Sequence, residues 1–408
     1  MNIWMETGRY VAEGRSPYEL EIHLGYPPLW GFWCGLSYVF SNSILPGNTF
    51  AYILAIKIPI IGADLAIAWI LLACARSFEI QATSSNNRSF RDATLGRLLV
   101  AFFLLNPYVL TVGVVWGMMD NLAALLVILV ALALKREKYA IAGAALGLAI
   151  ALKLYPVLFL FAVVPYLVKR HRGCARALRF LSALALMELG TIIAPFLVFR
   201  WDIARFLTML VDQTSRRPQG ISPIGILPLL INLDVQRLGP FDLQDLSQLL
   251  VLRLLWIPTI CLVVIFLARA DLQPPFEDII RRFVLVYAAW LLTAPSVSEQ
   301  NVETLLVLTL FEGASCGFSR VRRLSYGLAS AIVFMFAFFN VPATSFLYPV
   351  YRIEPTPLQA VGKYSLPWIA LAFASYLEFE AIRIILKIGS NRRVGCESAI
   401  DGTTVLLS

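Results

Sequence analysis

Charged residues are scarce in this chain. Only 15% of its 408 residues are Asp, Glu, Lys or Arg, whereas 59% are hydrophobic. Soluble domains carry about 25% charged residues, so the composition excludes an ordinary soluble domain and predicts a membrane protein with many spans. The formal net charge is +8, but the basic residues form short clusters between apolar runs. That pattern is typical of cytoplasmic loops, and we therefore expect no nucleic-acid partner.

Several signatures of soluble catalysis are also missing. The two histidines, His23 and His171, cannot build a His-rich metal site, and the six cysteines show no CxxC spacing. The chain has no GxGxxG or P-loop sequence, which disfavours a nucleotide ligand. No cofactor is predicted with certainty, although a divalent cation (Mg²⁺ or Mn²⁺) is left open.

Apolar runs dominate what is present. A spanning helix needs about 20 mainly apolar residues, and we interpret eleven segments as transmembrane helices: 50–75, 98–116, 119–134, 139–152, 155–168, 178–199, 248–268, 279–294, 303–317, 324–341 and 366–387. The predicted fold class is all-α, a polytopic membrane protein. One transmembrane domain is expected over 1–408. Within it, 1–49 form an external loop with an interfacial helix, and 200–247 form a second external loop. Basic clusters in every second loop predict an external N-terminus and a cytoplasmic C-terminus.

Charges inside a bilayer are costly and are functional candidates by default. Lys57 and Asp64 lie within the first apolar segment, where snorkelling and a hydrogen bond between helices are the favoured interpretations. Asp120, followed by Asn121, lies at the external end of a helix pair and is a stronger candidate. Asn106-Pro107 interrupts the preceding helix.

Two further external turns carry polar side chains. Lys153 and Tyr155 lie in a turn before Pro156, where a lysine could bind a lipid phosphate as a point charge, unless it is an ordinary interface anchor. Glu299 and Gln300 belong to a polar knot that follows Pro295. This knot predicts one wall of a cleft, the alternative being a solvated loop.

Segments in the first 170 residues and in one later loop resemble a known family. They are Glu13-Gly14-Arg15-Ser16-Pro17-Tyr18, Tyr26-Pro27-Pro28-Leu29, Asn106-Pro107, the Gly147–Pro156 run and Ser298-Glu299-Gln300. They resemble the GT-C glycosyltransferases, closest to the family that adds the first mannose to the glycosylphosphatidylinositol (GPI) anchor and to its prokaryotic relatives (glycosyltransferase family 87-like). That resemblance implies a GT-C fold. Because an external, charged N-terminal loop without a preceding helix is hard to translocate, we also expect a twelfth helix upstream.

The resemblance also implies a reaction. A sugar, most often mannose, would leave a polyprenyl or dolichyl phosphate and join a lipid- or glycan-linked acceptor with inversion. Such transfer needs a carboxylate base and groups that stabilise the leaving phosphate. Membrane lipids, and an accessory membrane subunit, are the other partners to expect.

Roles follow residue by residue. The family has two aspartates six residues apart in this loop, the first being the presumed base. Glu6 falls on the second, and the first would precede Met1. Glu6 and Asp120 are thus the candidate bases. The remaining assignments are Lys153, Arg9 and Arg15 for the donor phosphate, and Tyr18, Tyr26, Tyr155, Glu299 and Gln300 for the cleft and acceptor.

Two other functions compete with this prediction. A transporter or lipid flippase fits the number of spans, but it would be expected to show inverted repeats, and none is visible. A non-catalytic subunit of a membrane glycosylation complex fits the absent first aspartate. The compact loops favour a prokaryotic plasma membrane over the endoplasmic reticulum.

Overall fold

The computed structural model describes most of the chain. The described residues are 2–20, 25–83, 93–170, 174–214, 219–231, 237–238, 241–242, 244–245, 249–270, 276–316, 318–340 and 357–404. Nearly all of this is helical, as an apolar backbone within a bilayer requires, because a helix satisfies its own N–H and C=O groups.

The first half of the chain begins with two short helices that pack on each other. They precede a long helix with an internal proline, Pro59. The helices of this half are α1 (Asn2–Ala12), α2 (Pro28–Ile44), α3 (Thr49–Thr83), α4 (Ala93–Leu104), α5 (Pro107–Val109), α6 (Asp120–Lys135), α7 (Tyr139–Leu152), α8 (Leu160–Arg170), α9 (Ala175–Glu188) and α10 (Ala194–Val198). Short 3₁₀ turns occupy Pro17–Glu19 and Tyr155–Phe159, and π-helical segments occupy Leu110–Val115 and Leu189–Ile193.

The second half adds shorter surface helices and then long apolar ones. They are α11 (Ile203–Thr214), α12 (Ile226–Ile231), α13 (Leu250–Leu254), α14 (Trp256–Arg269), α15 (Phe276–Thr293), α16 (Val302–Cys316), α17 (Arg320–Asn340) and α18 (Pro357–Thr404). A 3₁₀ turn at Glu299–Asn301 leads into α16.

All eleven predicted spans coincide with helical segments, and the predicted all-α fold class is confirmed. Among the described residues, five helices are long and apolar enough to cross a membrane: Thr49–Ser77, Gly96–Val115, Ala175–Val198, Leu250–Arg269 and Val321–Phe339. The other predicted spans are helical but shorter or more charged, so the number of crossings stays a prediction. So does the single domain over 1–408. The predicted external loop at 200–247 contains α11 and α12.

Close helix contacts depend on small residues. A Cβ on Gly143 of α7 would lie 2.0 Å from the carbonyl oxygen of Phe180 on α9, and one on Gly147 would lie 2.8 Å from Cβ of Met187. Glycines four residues apart let two helix backbones approach closely in a membrane. This contact places the C-terminal end of α7, and hence Lys153, against the rest of the bundle.

Two very short strand pairings complete the described structure. β1 (Gln219–Gly220) lies parallel to β4 (Ser296–Val297), and β2 (Arg237–Leu238) lies antiparallel to β3 (Phe241–Asp242). Gly220 has φ +83°, and a Cβ there would lie 1.8 Å from the carbonyl oxygen of Val297. Only glycine fits this approach. The pairing ties the 200–247 region to the segment just before Glu299.

Candidate functional site

An ion pair between Asp120 and Lys153 lies at the centre of the site. Lys153 Nζ donates to Asp120 Oδ1 at 2.5 Å, and the two side chains are 6% and 0% exposed. The second carboxylate oxygen, Oδ2, is buried and has no hydrogen-bond partner among the described residues. A buried carboxylate with a spare oxygen is costly unless it is used.

Local structure presents both residues at helix ends. Asp120 is the first residue of α6, where the positive end of the helix dipole favours a carboxylate. Lys153 directly follows α7 with an extended backbone (φ −145°, ψ 148°), and the next 3₁₀ turn begins at Tyr155, with Pro156 as its second residue. The predicted break between 139–152 and 155–168 is therefore present, and it places the lysine ammonium next to Asp120, at the start of α6.

The polar knot after Pro295 and the first loop cover this pair. Lys153 Nζ also donates to Asn301 Oδ1 at 3.2 Å, and it lies 5.5 Å from the centre of the Tyr26 ring. Gln300 Nε2 lies 3.4 Å from the hydroxyl of Tyr26. The structure thus brings together Asp120, Lys153, Tyr26 and Gln300, four residues that the sequence analysis had selected.

A second carboxylate lies beside the pair. Glu303, in the first turn of α16, is fully buried, and neither of its carboxylate oxygens has a hydrogen-bond partner in the described part of the chain. It is within electrostatic range of Asp64, Asp120 and Lys153. We call Asp120, Lys153, Asn301 and Glu303 the Asp120 cluster.

Tyrosines hold the polar knot in place. The hydroxyl of Tyr108 donates to the carbonyl of Glu299 at 2.5 Å, and that of Tyr287 donates to the carbonyl of Asn301 at 2.7 Å. The hydroxyls of Tyr155 and Thr304 share a hydrogen bond at 2.6 Å. Tyr155 also places its ring 5.7 Å from Lys153 Nζ. The predicted cleft residues Glu299 and Tyr155 are therefore part of the wall of this cluster.

Lys57 and Asp64, the two charged residues within the apolar part of α3, contact neighbouring segments, and Asp64 makes the predicted hydrogen bond between helices. Asn121 Nδ2 donates to Asp64 Oδ1 at 2.9 Å, a hydrogen bond between α6 and α3. Lys57 Nζ donates to the carbonyl of Val115 at the end of the π-helical segment, at 3.2 Å. The first contact anchors α3 against α6, and the second anchors it against the segment that follows Asn106-Pro107.

The charged residues of the first loop lie apart from the Asp120 cluster. Glu6 and Arg9 are exposed on α1 and line a separate surface cavity. Arg15 packs its guanidinium 4.0 Å from the centre of the Tyr10 ring and lies 3.8 Å from both Glu13 and Glu19. No described contact joins Glu6, Arg9 or Arg15 to Lys153, so their predicted roles in the reaction stay predictions.

Tyr18 supports the loop from below. It is 1% exposed, its hydroxyl donates to the carbonyl of Tyr26 at 3.0 Å, and its ring stacks at 6.0 Å on Phe196. Burial raises the pKa of Tyr18 well above its ordinary value near 10. The phenol is therefore neutral at physiological pH and acts as a structural support for Tyr26.

Some members of the site were not selected from the sequence. They are Asn301, Glu303, Thr304, Tyr108 and Tyr287. Their common signal is polarity: each lies inside, or next to, an apolar run in which a polar side chain needs a partner.

The described residues hold no group of three or more His, Cys, Asp or Glu side chains placed to bind a metal ion. The divalent cation left open by the sequence therefore stays a prediction, and no step below depends on it.

The helices and the buried cluster define the class of protein. It is an all-α, multi-pass membrane protein that collects carboxylates and a lysine where helix ends meet two loops. A protein-family model described as GPI transamidase subunit PIG-U matches residues 8–209, about half of the chain. The matched range includes Asp120, Lys153 and Tyr26.

Curated relatives carry another name from the same field. GPI mannosyltransferase 1 of Saccharomyces cerevisiae is 26% identical over 193 residues, which are 47% of this chain and 42% of that protein. The enzyme of the same name from Gibberella zeae is 28% identical over 162 residues (40% and 32%), and that from Eremothecium gossypii is 23% identical over 205 residues (49% and 45%).

The chain is therefore similar to proteins of the GPI mannosyltransferase-related GT-C family, and the resemblance predicted from its first loop is confirmed. The matches span less than half of the length of these curated relatives.

Proposed function

We propose that this protein is a membrane glycosyltransferase of the mannosyltransferase type. It takes a sugar from a polyprenyl- or dolichyl-phosphate donor and transfers it, with inversion, to a lipid- or glycan-linked acceptor. The observation that carries the proposal is the buried Asp120–Lys153 ion pair with one free carboxylate oxygen. The names of the fungal relatives support it.

The ion pair provides a coupling between donor and base. When the donor phosphate arrives, Lys153 exchanges Asp120 for the phosphate as its counterion. Asp120 is then an unpaired carboxylate in a desolvated site, which makes it a stronger base. Without the donor, Lys153 stays paired with Asp120, and the carboxylate is a weaker base.

The transfer is a single displacement that uses the two substrates, Asp120 and Lys153. The acceptor hydroxyl oxygen attacks the anomeric carbon, and the bond between that carbon and the phosphate oxygen breaks. The hydroxyl proton goes to Asp120. The lipid phosphate leaves as an anion, and Lys153 stabilises the charge that develops on it.

Asp120→Asn tests this proposal directly. The protein in nanodiscs would be given radiolabelled polyprenyl-phosphate-mannose and a panel of lipid and glycan acceptors. We expect Asp120→Asn to lower kcat by about 10²–10⁴-fold, the usual contribution of a general base, and Lys153→Met to raise the KM for the donor. Asp202→Asn, the same chemical change at an exposed aspartate, should leave transfer unchanged.

Glu6→Gln decides between the two carboxylates selected from the sequence. If Glu6 is the base, its variant loses kcat and Asp120→Asn does not. Asp120 is assigned as the base because it shares a buried site with a cation. Equal kcat for wild type and Asp120→Asn would overturn that assignment.

A non-catalytic subunit is the second candidate, because the matching family model is described as a subunit. In that case, the Asp120–Lys153 pair is a brace between α6 and the end of α7. Asp120→Asn would then lower thermal stability, and no variant or wild-type protein would transfer sugar with any donor. An accessory subunit of the enzyme would be sought by co-purification.

The membrane in which the protein resides is a separate part of the proposal. A multi-pass membrane protein is supported by the apolar helices. The named relatives are fungal, and the prokaryotic plasma membrane stays a prediction that fractionation of the source cells would test.

A further inference from the structure

A surface cavity with both apolar and polar lining lies apart from the Asp120 cluster. It is formed by α1, the C-terminal end of α2, the turn after it and the beginning of α3, and its volume is about 160 Å³. The side chains that matter in it are Glu6, Arg9, Tyr38, Asn42, Asn48 and Tyr52. From the sequence, Glu6 is a candidate base and Arg9 a candidate for the donor phosphate, and no sequence pattern predicts this cavity.

The turn that closes the cavity is held by its asparagines. Asn42 Oδ1 accepts from the N–H of Gly47 at 2.9 Å, and Asn48 Oδ1 accepts from the N–H of Ala51 at 3.1 Å. Gly47 has φ +72°, a conformation that favours glycine. Because each amide oxygen is engaged with the backbone, what each asparagine can offer a ligand is its NH₂ group.

The remaining side chains complete a set suited to hydroxyl groups. Glu6 can accept hydrogen bonds and Arg9 can donate them, and both side chains are exposed. The rings of Tyr38 and Tyr52 meet edge to face with centroids 6.4 Å apart. A sugar presents hydroxyls that both donate and accept, together with an apolar C–H face that packs on an aromatic ring. Glu6 disfavours a phosphate in the same place.

The size of the cavity limits the ligand. The cavity volume of about 160 Å³ is below the roughly 300–1,000 Å³ of pockets that enclose drug-sized ligands. That is the scale of a single sugar or cyclitol ring rather than of a whole oligosaccharide.

Packing connects the cavity to the Asp120 cluster. The hydroxyl of Tyr52 donates to the carbonyl of Trp4 at 2.5 Å, and the ring of Trp4 lies 5.5 Å from that of Tyr26. Tyr26 in turn lies 5.5 Å from Lys153 Nζ. Two aromatic side chains, Trp4 and Tyr26, therefore lie in succession between the cavity and the lysine proposed to hold the donor.

We propose that this cavity binds one sugar or cyclitol ring of the acceptor, an inference that rests on the proposed glycosyltransferase function. Glu6, Arg9 and the NH₂ group of Asn48 hold its hydroxyls, and Tyr38 packs on its C–H face. Glu6 is then an acceptor-binding residue, and the base lies elsewhere.

Saturation-transfer NMR on the protein in nanodiscs tests the binding without requiring turnover. The probes are methyl α-D-mannopyranoside, methyl α-D-glucosaminide and myo-inositol, with glycerol as a small polyol control. We expect a saturation signal for at least one ring and none for glycerol. Glu6→Gln and Asn48→Asp should each weaken that signal at least fivefold. Asn48→Asp keeps an oxygen for the N–H of Ala51. It replaces the amide NH₂ group with a charged carboxylate oxygen, which cannot donate a hydrogen bond.

Glu19→Gln is the matched control, because Glu19 is an exposed carboxylate that pairs with Arg15, a residue outside the cavity. It should keep the full signal. Thermal melting of every variant excludes misfolding as a cause of any loss. If no probe gives a signal, or if Glu6→Gln and Asn48→Asp bind as wild type does, the cavity assignment is overturned.

Transfer kinetics separate this inference from the function on which it rests. With a working acceptor, the two cavity variants should raise the acceptor KM at least fivefold and leave the donor KM unchanged. Ring binding without any transfer would support the cavity and count against the enzyme. Transfer with an unchanged acceptor KM in both variants would support the enzyme and overturn the cavity.

Discussion

Helix α16 carries two buried glutamates, and their surroundings differ. Glu303, in its first turn, has no hydrogen-bond partner for either carboxylate oxygen among the described residues. Glu312, nine residues later and about 13 Å along the helix, accepts from Arg322 at 2.9 Å and from Arg383 at 2.7 Å. Arg281 lies 3.3 Å from its other oxygen.

The Glu312 cluster (Arg281, Glu312, Arg322, Glu380 and Arg383) is a closed network. Arg383 also pairs with Glu380 at 2.6 Å, so that one guanidinium joins two carboxylates. A buried charge is tolerated when it is paired and fully hydrogen-bonded. The network joins α15, α16, α17 and α18, which is a structural task.

The Asp120 cluster is open in comparison. Lys153 faces Asp120, with Glu303 and Asp64 in electrostatic range, so carboxylates outnumber the cation. The difference teaches that burial alone does not mark a functional charge. Incomplete pairing does, because spare buried acceptors are kept at a cost in stability and are available to a substrate.

Glu312→Gln is expected to have the largest effect on stability. The substitution leaves three guanidinium groups around a neutral amide, and removing one partner of a buried pair costs about 3–5 kcal/mol. The free energy of unfolding would be measured by denaturant titration of the protein in detergent micelles.

Glu378→Gln is the control, since Glu378 lies on α18 with an exposed side chain. Its effect should be within about 0.5 kcal/mol. A loss below about 1 kcal/mol for Glu312→Gln would mean that the Glu312 cluster contributes little to stability, and the comparison would lose its structural half.

The sequence predicted the helices well and their contacts poorly. Long apolar runs predict helices at all eleven positions, because a membrane leaves few other backbone solutions. Asn106-Pro107 and Lys153-Leu154-Tyr155-Pro156 likewise predict breaks, since proline cannot continue a helix hydrogen-bond ladder.

Pairing across the sequence was beyond reach. Lys153 meets Asp120 from 33 residues away and Asn301 from 148, and no local pattern encodes either separation. Glu303 and Glu312 are alike in sequence, each a glutamate in an apolar run. Only the arginines contributed by α15, α17 and α18 make them different. The same holds for Glu6, whose cavity is closed by a turn more than thirty residues later.

Tyr18→Phe tests whether the loop above the open cluster is held by a specific bond. The hydroxyl donates to the carbonyl of Tyr26, and a net contribution of about 0.5–1.5 kcal/mol is typical of such a bond. We expect a loss of that size in the free energy of unfolding at pH 7. Tyr10→Phe, in the partly exposed ring that stacks on Arg15, is the control and should change little.

The pH dependence of this pair of proteins has a definite sign. The folded pKa of Tyr18 is raised by burial above the ordinary value near 10, so its neutral form is favoured in the fold. Its contribution is therefore complete below about pH 10 and falls as the pH rises beyond that value. The stability difference between wild type and Tyr18→Phe should be constant from pH 6 to 9 and shrink above 10. A difference that grows with pH would contradict the assignment.

Glu303→Gln is expected to have the smallest effect on stability, and this result would sharpen the comparison most. Neither carboxylate oxygen has a described partner, so the substitution breaks no ion pair and removes a carboxylate from a region where carboxylates outnumber cations. A buried carboxylate without partners carries a desolvation cost, and replacing it with a neutral amide removes that cost. The free energy of unfolding should change by less than about 1 kcal/mol, measured in the same titration as Glu312→Gln.

The same substitution at two glutamates of one helix would then change the free energy of unfolding by amounts that differ by several kcal/mol. A loss for Glu303→Gln as large as that for Glu312→Gln would show that Glu303 is paired as firmly as Glu312. The Asp120 cluster would then be as completely paired as the Glu312 cluster, and incomplete pairing could no longer assign a function to the N-terminal end of α16.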